Sequence, residues 1–142
     1  IARKTLRMMR HQFSKRSISV VENFNEQPIM VNVDQNKIKQ VILNIALNAL
    51  QSMEDGGAIT LSSSADAGGG MAALSIRDSG LGISEDDLPR IFDPFFTRRK
   101  VGEGTGLGLA ISFSIIKAHG GDIEVFSEAG NGAEFVIRLP KV

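Results

Sequence analysis

The chain contains no cysteine, no tryptophan and no tyrosine. Without cysteine there is no disulfide frame and no thiolate metal site. That suits a reducing compartment without requiring one. Phenylalanine, eight residues of it, is the only aromatic. Neither sign of charge is in excess: 16 Lys and Arg balance 16 Asp and Glu. No global field therefore draws the molecule to nucleic acid or to an anionic membrane. Long apolar runs are missing too. The longest, residues 41–50, is broken by Asn44 and Asn48 and is too short to span a bilayer. No signal peptide is visible, and a start at Ile1 points to a piece of a longer protein. Three nucleotide-binding signatures are also absent: the P-loop G-x-x-x-x-G-K-[ST], a strict G-x-G-x-x-G, and the H-R-D loop with its strand lysine.

What remains is 142 residues of ordinary globular composition, 42% hydrophobic and 23% charged. That is enough for one domain burying about two thirds of its unfolded surface. Its most informative stretch is GEGTGLGL, residues 102–109. Four alternating glycines weaken both a strand and a helix, so the run reads as a freely bending loop. A clear amphipathic helix follows, residues 107–119. A glycine loop feeding a helix N-terminus offers free N–H donors and the positive dipole end at one point, which suits a phosphate chain. The competing reading is a mobile surface linker.

Residues 1–16 are basic and helix-prone, with Leu6, Met9 and Phe13 at helical spacing. They read as the end of an upstream helix and a linker, leaving residues 17–142 as the domain. Residues 17–24 have weak strand character, and residues 29–33 alternate better. Asp34 can cap a helix over residues 35–53, with Ile38, Val41, Ile42, Ile45, Ala49 and Met53 as its apolar stripe. Asn44 and Asn48, four apart, share a face beside that stripe. They either hydrogen-bond between helices or hold a ligand such as hydrated Mg²⁺. Residues 58–64 and 71–77 form a predicted hairpin, ending in the carboxylate Asp78 with Gly80 and Gly82 just beyond. Those glycines would admit close ligand approach, though Asp78 could equally be a turn-forming residue. Residues 84–87 resemble a capping box and predict a short helix ending near Phe92. Phe92, Phe95 and Phe96 then crowd a loop broken by Pro94. They either seal the core or face a partner. Arg98, Arg99 and Lys100 follow. The third long helix should turn Leu107, Ala110, Ile111, Ser114, Ile115 and Ala118 inward, and strands over 123–127 and 134–139 close the chain. His11 reads as solvated and His119 as structural. Three main helices and five or six strands, paired largely as hairpins, predict an α+β fold: a two-layer sandwich with a mixed, mostly antiparallel sheet and helices on one face.

Four of these stretches together resemble the boxes of bacterial sensor histidine kinases. Asn44–Asn48 resembles the N box, residues 78–82 the first glycine box, residues 92–96 the F box and residues 102–109 the second glycine box. They occur in the family's order and spacing across residues 34–139. The wider superfamily, GHKL, includes gyrase and the heat-shock chaperone ATPases. The resemblance implies the Bergerat fold, with ATP and Mg²⁺ bound. Asp78 would accept from the adenine amine and Gly82 would let the ring pack close. Asn48 and Asn44 would be the catalytic pair that orients Mg²⁺ on the phosphates. Gly102, Gly104, Gly106 and Gly108 would wrap the phosphates, with Thr105 donating. Gln51, Gly80, Ile83, Phe92, Thr97, Arg99, Lys100 and Leu107 complete the implied nucleotide contacts. The segment from Phe92 to about Val101 would close over ATP and meet a partner domain.

Hydrolysing members of the superfamily place a Glu base four residues before the metal-binding Asn. Here that residue is Asn44, which favours phosphoryl transfer to a protein histidine over hydrolysis. The alternatives are a GHKL-type ATPase, an anti-sigma-type serine kinase and a nucleotide-binding regulatory module that transfers nothing. Residues 48–53 further resemble the nitrogen-regulation and oxygen-sensor type. The sequence departs from the family at Arg99 and Lys100, where Lys-Pro is common, and at Ser52, near a frequent Tyr. The acceptor-histidine motif is missing, since His11 is followed by Gln12. The resemblance thus implies the catalytic domain alone. Its partners would be the histidine-bearing dimerisation domain of a homodimeric parent kinase and a response regulator, with no nucleic acid. The domain would face the cytoplasm, whether or not the parent is membrane-anchored.

Overall fold

The computed structural model describes residues 1–66, 68–97 and 106–142. Two short helices, α1 (Ala2–Arg7) and α2 (Arg10–Lys15), lead into strand β1 (Ile18–Asn23). Helix α3 (Gln35–Ser52) follows, then the hairpin β2 (Gly57–Ala65) and β3 (Met71–Asp78), helix α4 (Gly108–Ala118), and the hairpin β4 (Asp122–Ser127) and β5 (Ala133–Pro140). The sheet has five strands in the order β1-β2-β3-β5-β4. β1 pairs parallel with β2, and every other pairing is antiparallel. The expected α+β sandwich is the observed one. Among the described residues, no helix is long and apolar enough to cross a membrane.

Alternation decides which face of the sheet is buried. Ile59 and Leu61 on β2, Ile76 on β3, and Phe135 and Ile137 on β5 point to the helices and are buried. Opposite them lie Ile38, Val41, Ile42, Ile45, Ala46, Ala49 and Leu50 of α3, at helical spacing. The Asp34 cap forms as expected, its Oδ1 accepting from the N–H groups of Asn36 and Lys37 at 3.0 and 3.2 Å.

Four expectations are corrected. Residues 1–16 are not one helix but two, and Leu6, Met9 and Phe13 are buried in the domain's own core. Arg16 donates to the Leu50 carbonyl at 2.9 Å, a second bond to an acceptor at the end of α3 that also takes the Met53 N–H at 3.3 Å. Residues 29–33 do alternate, with Ile29, Val31 and Val33 half-buried. They make only an isolated bridge, Val31 to Lys141, because no strand lies alongside to complete a ladder. Residues 84–87 do not open an α-helix. The Ser84 hydroxyl takes the Asp87 N–H at 3.2 Å, and the short helix that follows is a single 3₁₀ turn, Leu88–Arg90, with Pro89 inside it and Pro94 beyond. Finally, α4 is rotated from its expected register: Ser112 and Ile116 are buried, while Ile111, Ser114 and Ala118 are exposed. Bonds from Asn44, described below, set that rotation.

Phe13 is 1% exposed, so Phe13→Ala should cost about 3–5 kcal/mol of stability, measured by urea unfolding. A solvated linker would lose almost nothing.

Candidate functional site

Period two along β3 puts Leu74, Ile76 and Asp78 on one face, toward the helices. Asp78 stands in register with Ile59 and Ala133, both buried. Strand geometry thus carries a carboxylate into the core layer, where it is 4% exposed. Its Oδ1 accepts from the Gly80 N–H at 2.9 Å and from the Ser52 hydroxyl at 3.2 Å. The Ala133 backbone contributes a further bond. Burial outweighs these bonds and raises the pKa of Asp78 above its ordinary value.

The glycines after Asp78 have a reason inside the fold. A Cβ on Gly80 would collide with Ser52, and one on Gly82, where φ is +73°, would collide with the Glu128 carbonyl. The turn at residues 79–83 is interlocked with the turn at 128–132. Gly130 N–H donates to Leu81 O at 2.6 Å, and Ile83 N–H donates to the Ser127 hydroxyl at 2.7 Å. That hydroxyl donates in turn to Gly132 O at 2.7 Å. Close packing against the end of α3 at Gly80, and between the two turns at Gly82, therefore requires these glycines whether or not a ligand approaches. Ile83 is half-buried against the core.

Asn44, Asn48 and Ser52 fall at i, i+4 and i+8, one face of α3. At one end of this stripe Ser52 touches Asp78. At the other, the Asn44 amide donates to the Gly108 carbonyl at 3.1 Å and to the Ser112 hydroxyl at 3.2 Å. Asn48 lies half-buried between them, and Gln51 is half-buried in the last turn. Eight residues of helix span about 12 Å. For Asn44 the interhelical reading is the one these bonds realise.

Gly108 begins α4, and Leu107 stands at the N-cap with no side-chain oxygen to offer. The first N–H groups of this helix have no N-cap side-chain acceptor. Gly106 has φ of +73°, and its carbonyl accepts from the Phe95 N–H at 2.9 Å. The three phenylalanines divide their roles. Phe92 is half-buried and stacks on Phe113 at 5.2 Å, and Phe96 lies 4.7 Å beneath the Arg90 guanidinium. Phe95 is 72% exposed with φ of +68°. A concavity of about 440 Å³ runs along Arg90, Asp93 and residues 94–97, and Thr97 lines it while Asp78 does not. Arg99, Lys100, Gly102, Gly104 and Thr105 lie outside the described residues.

The structure thus joins Asp78, Gly80 and α3 at one end, and Asn44, Gly108 and α4 at the other. Sequence reasoning missed Ser112, Ser127 and Gly132, because no local signal ties them to Asn44, Ile83 and Asp78, dozens of positions away. His119 is structural as expected: its Nε2 accepts from the Asp34 N–H at 3.2 Å, and Nδ1 lies 2.7 Å from Ile115 O.

Because the folded pKa of Asp78 is raised, its contribution favours folding below the ordinary carboxylate range and fades as pH rises through the folded value. Asp78→Asn does not titrate. Its stability relative to the parent should therefore improve between pH 4 and pH 7, as read by urea unfolding at both. The opposite trend would mean that the hydrogen bonds outweigh desolvation.

Residues 33–142 match the family model described as histidine kinase-, DNA gyrase B-, and HSP90-like ATPase. Sporulation kinase A of Bacillus subtilis (strain 168) is 37% identical over 134 residues, 94% of this chain and 22% of that protein. The chain thus spans under a quarter of that relative. The catalytic domain of histidine kinase ThkA, solved free of nucleotide, superposes with a TM-score of 0.87 at 30% identity, covering 99% of this chain and 91% of that one. ThkA has also been solved with the response regulator TrrA, TM-score 0.82 at 29% identity over 99% of this chain and 39% of that one. Full-length ShkA in complex with AMPPNP gives a TM-score of 0.87 at 31% identity, over 99% of this chain and 29% of that one. The chain belongs to the histidine kinase-, DNA gyrase B- and HSP90-like ATPase family, and within it to the catalytic domains of histidine kinases.

Proposed function

We propose that this domain binds ATP with Mg²⁺ and transfers the γ-phosphate to a histidine on a separate dimerisation domain, from which a response regulator takes it. The observation that carries this reading is the polar stripe of α3. It links a buried carboxylate at one end to the start of α4 at the other, over about the length of an adenosine and its first phosphates. Asp78 would accept from the adenine amine, since a carboxylate has lone pairs beyond those its present partners use. The N–H groups at the start of α4, with the glycines before it, would hold phosphate oxygens. Asn48 and the Oδ1 of Asn44 suit a hard cation that keeps several waters and leans on the phosphates. No cluster of three His, Asp or Glu that would form an all-protein cage occurs among the described residues. Bound Mg²⁺ would neutralise charge on the phosphates. Positioning would supply the rest of the catalysis.

Transfer is favoured over hydrolysis by Asn44. An amide that donates to Gly108 and Ser112 stands where hydrolysing relatives carry a carboxylate base. Phe95, exposed in a left-handed conformation, would meet the dimerisation domain. The AMPPNP complex of ShkA and the ThkA–TrrA complex support the ligand and the regulator, and use of ATP would place the domain in the cytoplasm.

Given a histidine-bearing dimerisation domain, ATP and Mg²⁺, the chain should form acid-labile phosphohistidine. Asn48→Ala should slow that transfer by about a hundredfold or more with unfolding unchanged. Undiminished transfer by Asn48→Ala would remove its role. Steady phosphate release without transfer would make the domain an ATPase.

A further inference from the structure

Resting on the nucleotide reading above, we propose that Asn44 and Ser112 form a strut that positions the first turn of α4, so that both are positioning residues for the phosphate end of the site. Ser112 is fully buried, at 0% exposure, so no ligand reaches its hydroxyl and its role is internal. That hydroxyl donates to the Gly108 carbonyl at 2.8 Å while accepting from the Asn44 amide at 3.2 Å. The same amide donates to Gly108 O at 3.1 Å. Three groups from two helices close a triangle on the first residue of α4.

The arrangement compensates for a missing cap. A helix start is usually oriented by a side-chain oxygen at the N-cap, and Leu107 has none. Here the turn is fixed from its carbonyl side. With both amide donors of Asn44 directed at α4, its Oδ1 is turned away from the Gly108 carbonyl. The far end of α4 is fixed as well, by the bond from Asp34 N–H to His119 Nε2. Two polar anchors, one on α3 and one on its N-cap residue, therefore hold α4 in rotation and in translation. Without the nearer anchor, the N–H groups that face the phosphates lose their fixed direction while the adenine end keeps its own.

Calorimetric titration of the 142-residue chain with adenosine, ADP and a non-hydrolysable ATP analogue, with and without Mg²⁺, tests the strut. Ser112→Ala and Asn44→Ala should leave adenosine affinity unchanged. Each should weaken ADP and the analogue about threefold to tenfold, the worth of one lost buried hydrogen bond. In Ser112→Ala the loss should be the same with and without Mg²⁺, in Asn44→Ala a loss should remain without it, and the double variant should be no weaker than Asn44→Ala. Unchanged ADP affinity in Ser112→Ala overturns the strut, as does a loss in Asn44→Ala that appears only with Mg²⁺, which would leave Asn44 its cation role and no positioning role. If the parent chain binds none of the three compounds, the nucleotide reading falls and the strut falls with it. If adenosine binds but the ratio of ADP to adenosine affinity does not move in either variant, only the strut falls.

Discussion

Packing of α3 against the sheet is the constraint on which the rest depends. Val41, Ile42, Ile45, Ala46 and Ala49 are nearly inaccessible to water and meet the inward residues of β2, β3 and β5. At roughly 25 cal/mol per Å² of buried apolar area, such an interface outweighs any single polar contact in the domain. It also fixes the rotation of the helix. Once the apolar stripe faces the sheet, Asn44, Asn48 and Ser52 must emerge along its flank, where they border solvent and α4. A one-residue rotation would bury three polar side chains and expose part of the core. The polar face is thus held by hydrophobic packing, and its members need no separate device to keep them in line.

Two buried polar groups follow different rules. Asp78 lies in the inward row of β3 because the period of a strand leaves its side chain no other direction. Its surroundings then compensate with a backbone N–H and a hydroxyl. The net result is still a carboxylate less at ease than in water. Such groups are costly to a fold and are retained where they recognise something. Ser112 has no such strain, since its hydroxyl both donates and accepts within the protein.

Local signals were legible in the sequence. The stripe of α3, the Asp34 cap and both hairpins follow from spacing within a few residues, and the order of the four boxes alone singles out Asp78, Asn44 and Asn48. What escaped depended on contacts between distant segments. The rotation of α4 follows from bonds to Asn44, 64 and 68 residues away, whereas spacing within the helix pointed to the face of Ala110, Ile111, Ser114 and Ala118. Gly80 and Gly82 pointed to close approach, yet the approaching groups are Ser52 and Glu128, which only tertiary structure reveals. The alternation over residues 29–33 was legible and the side chains obey it. Pairing is a property of two segments, and the second was not there.

The strand order carries a consequence for synthesis on the ribosome. β5 is the last strand in the chain, yet it lies inside the sheet, between β3 and β4. Until residues 133–140 emerge, β3 has an open edge and β4 has no neighbour at all. The α3 core can gather early, but the sheet cannot close until its final strand is delivered. Pairings that wait for distant segments are slow, and an unpaired edge is a template for association with other chains. The nascent domain is therefore most exposed to misassembly just before its C-terminal hairpin appears.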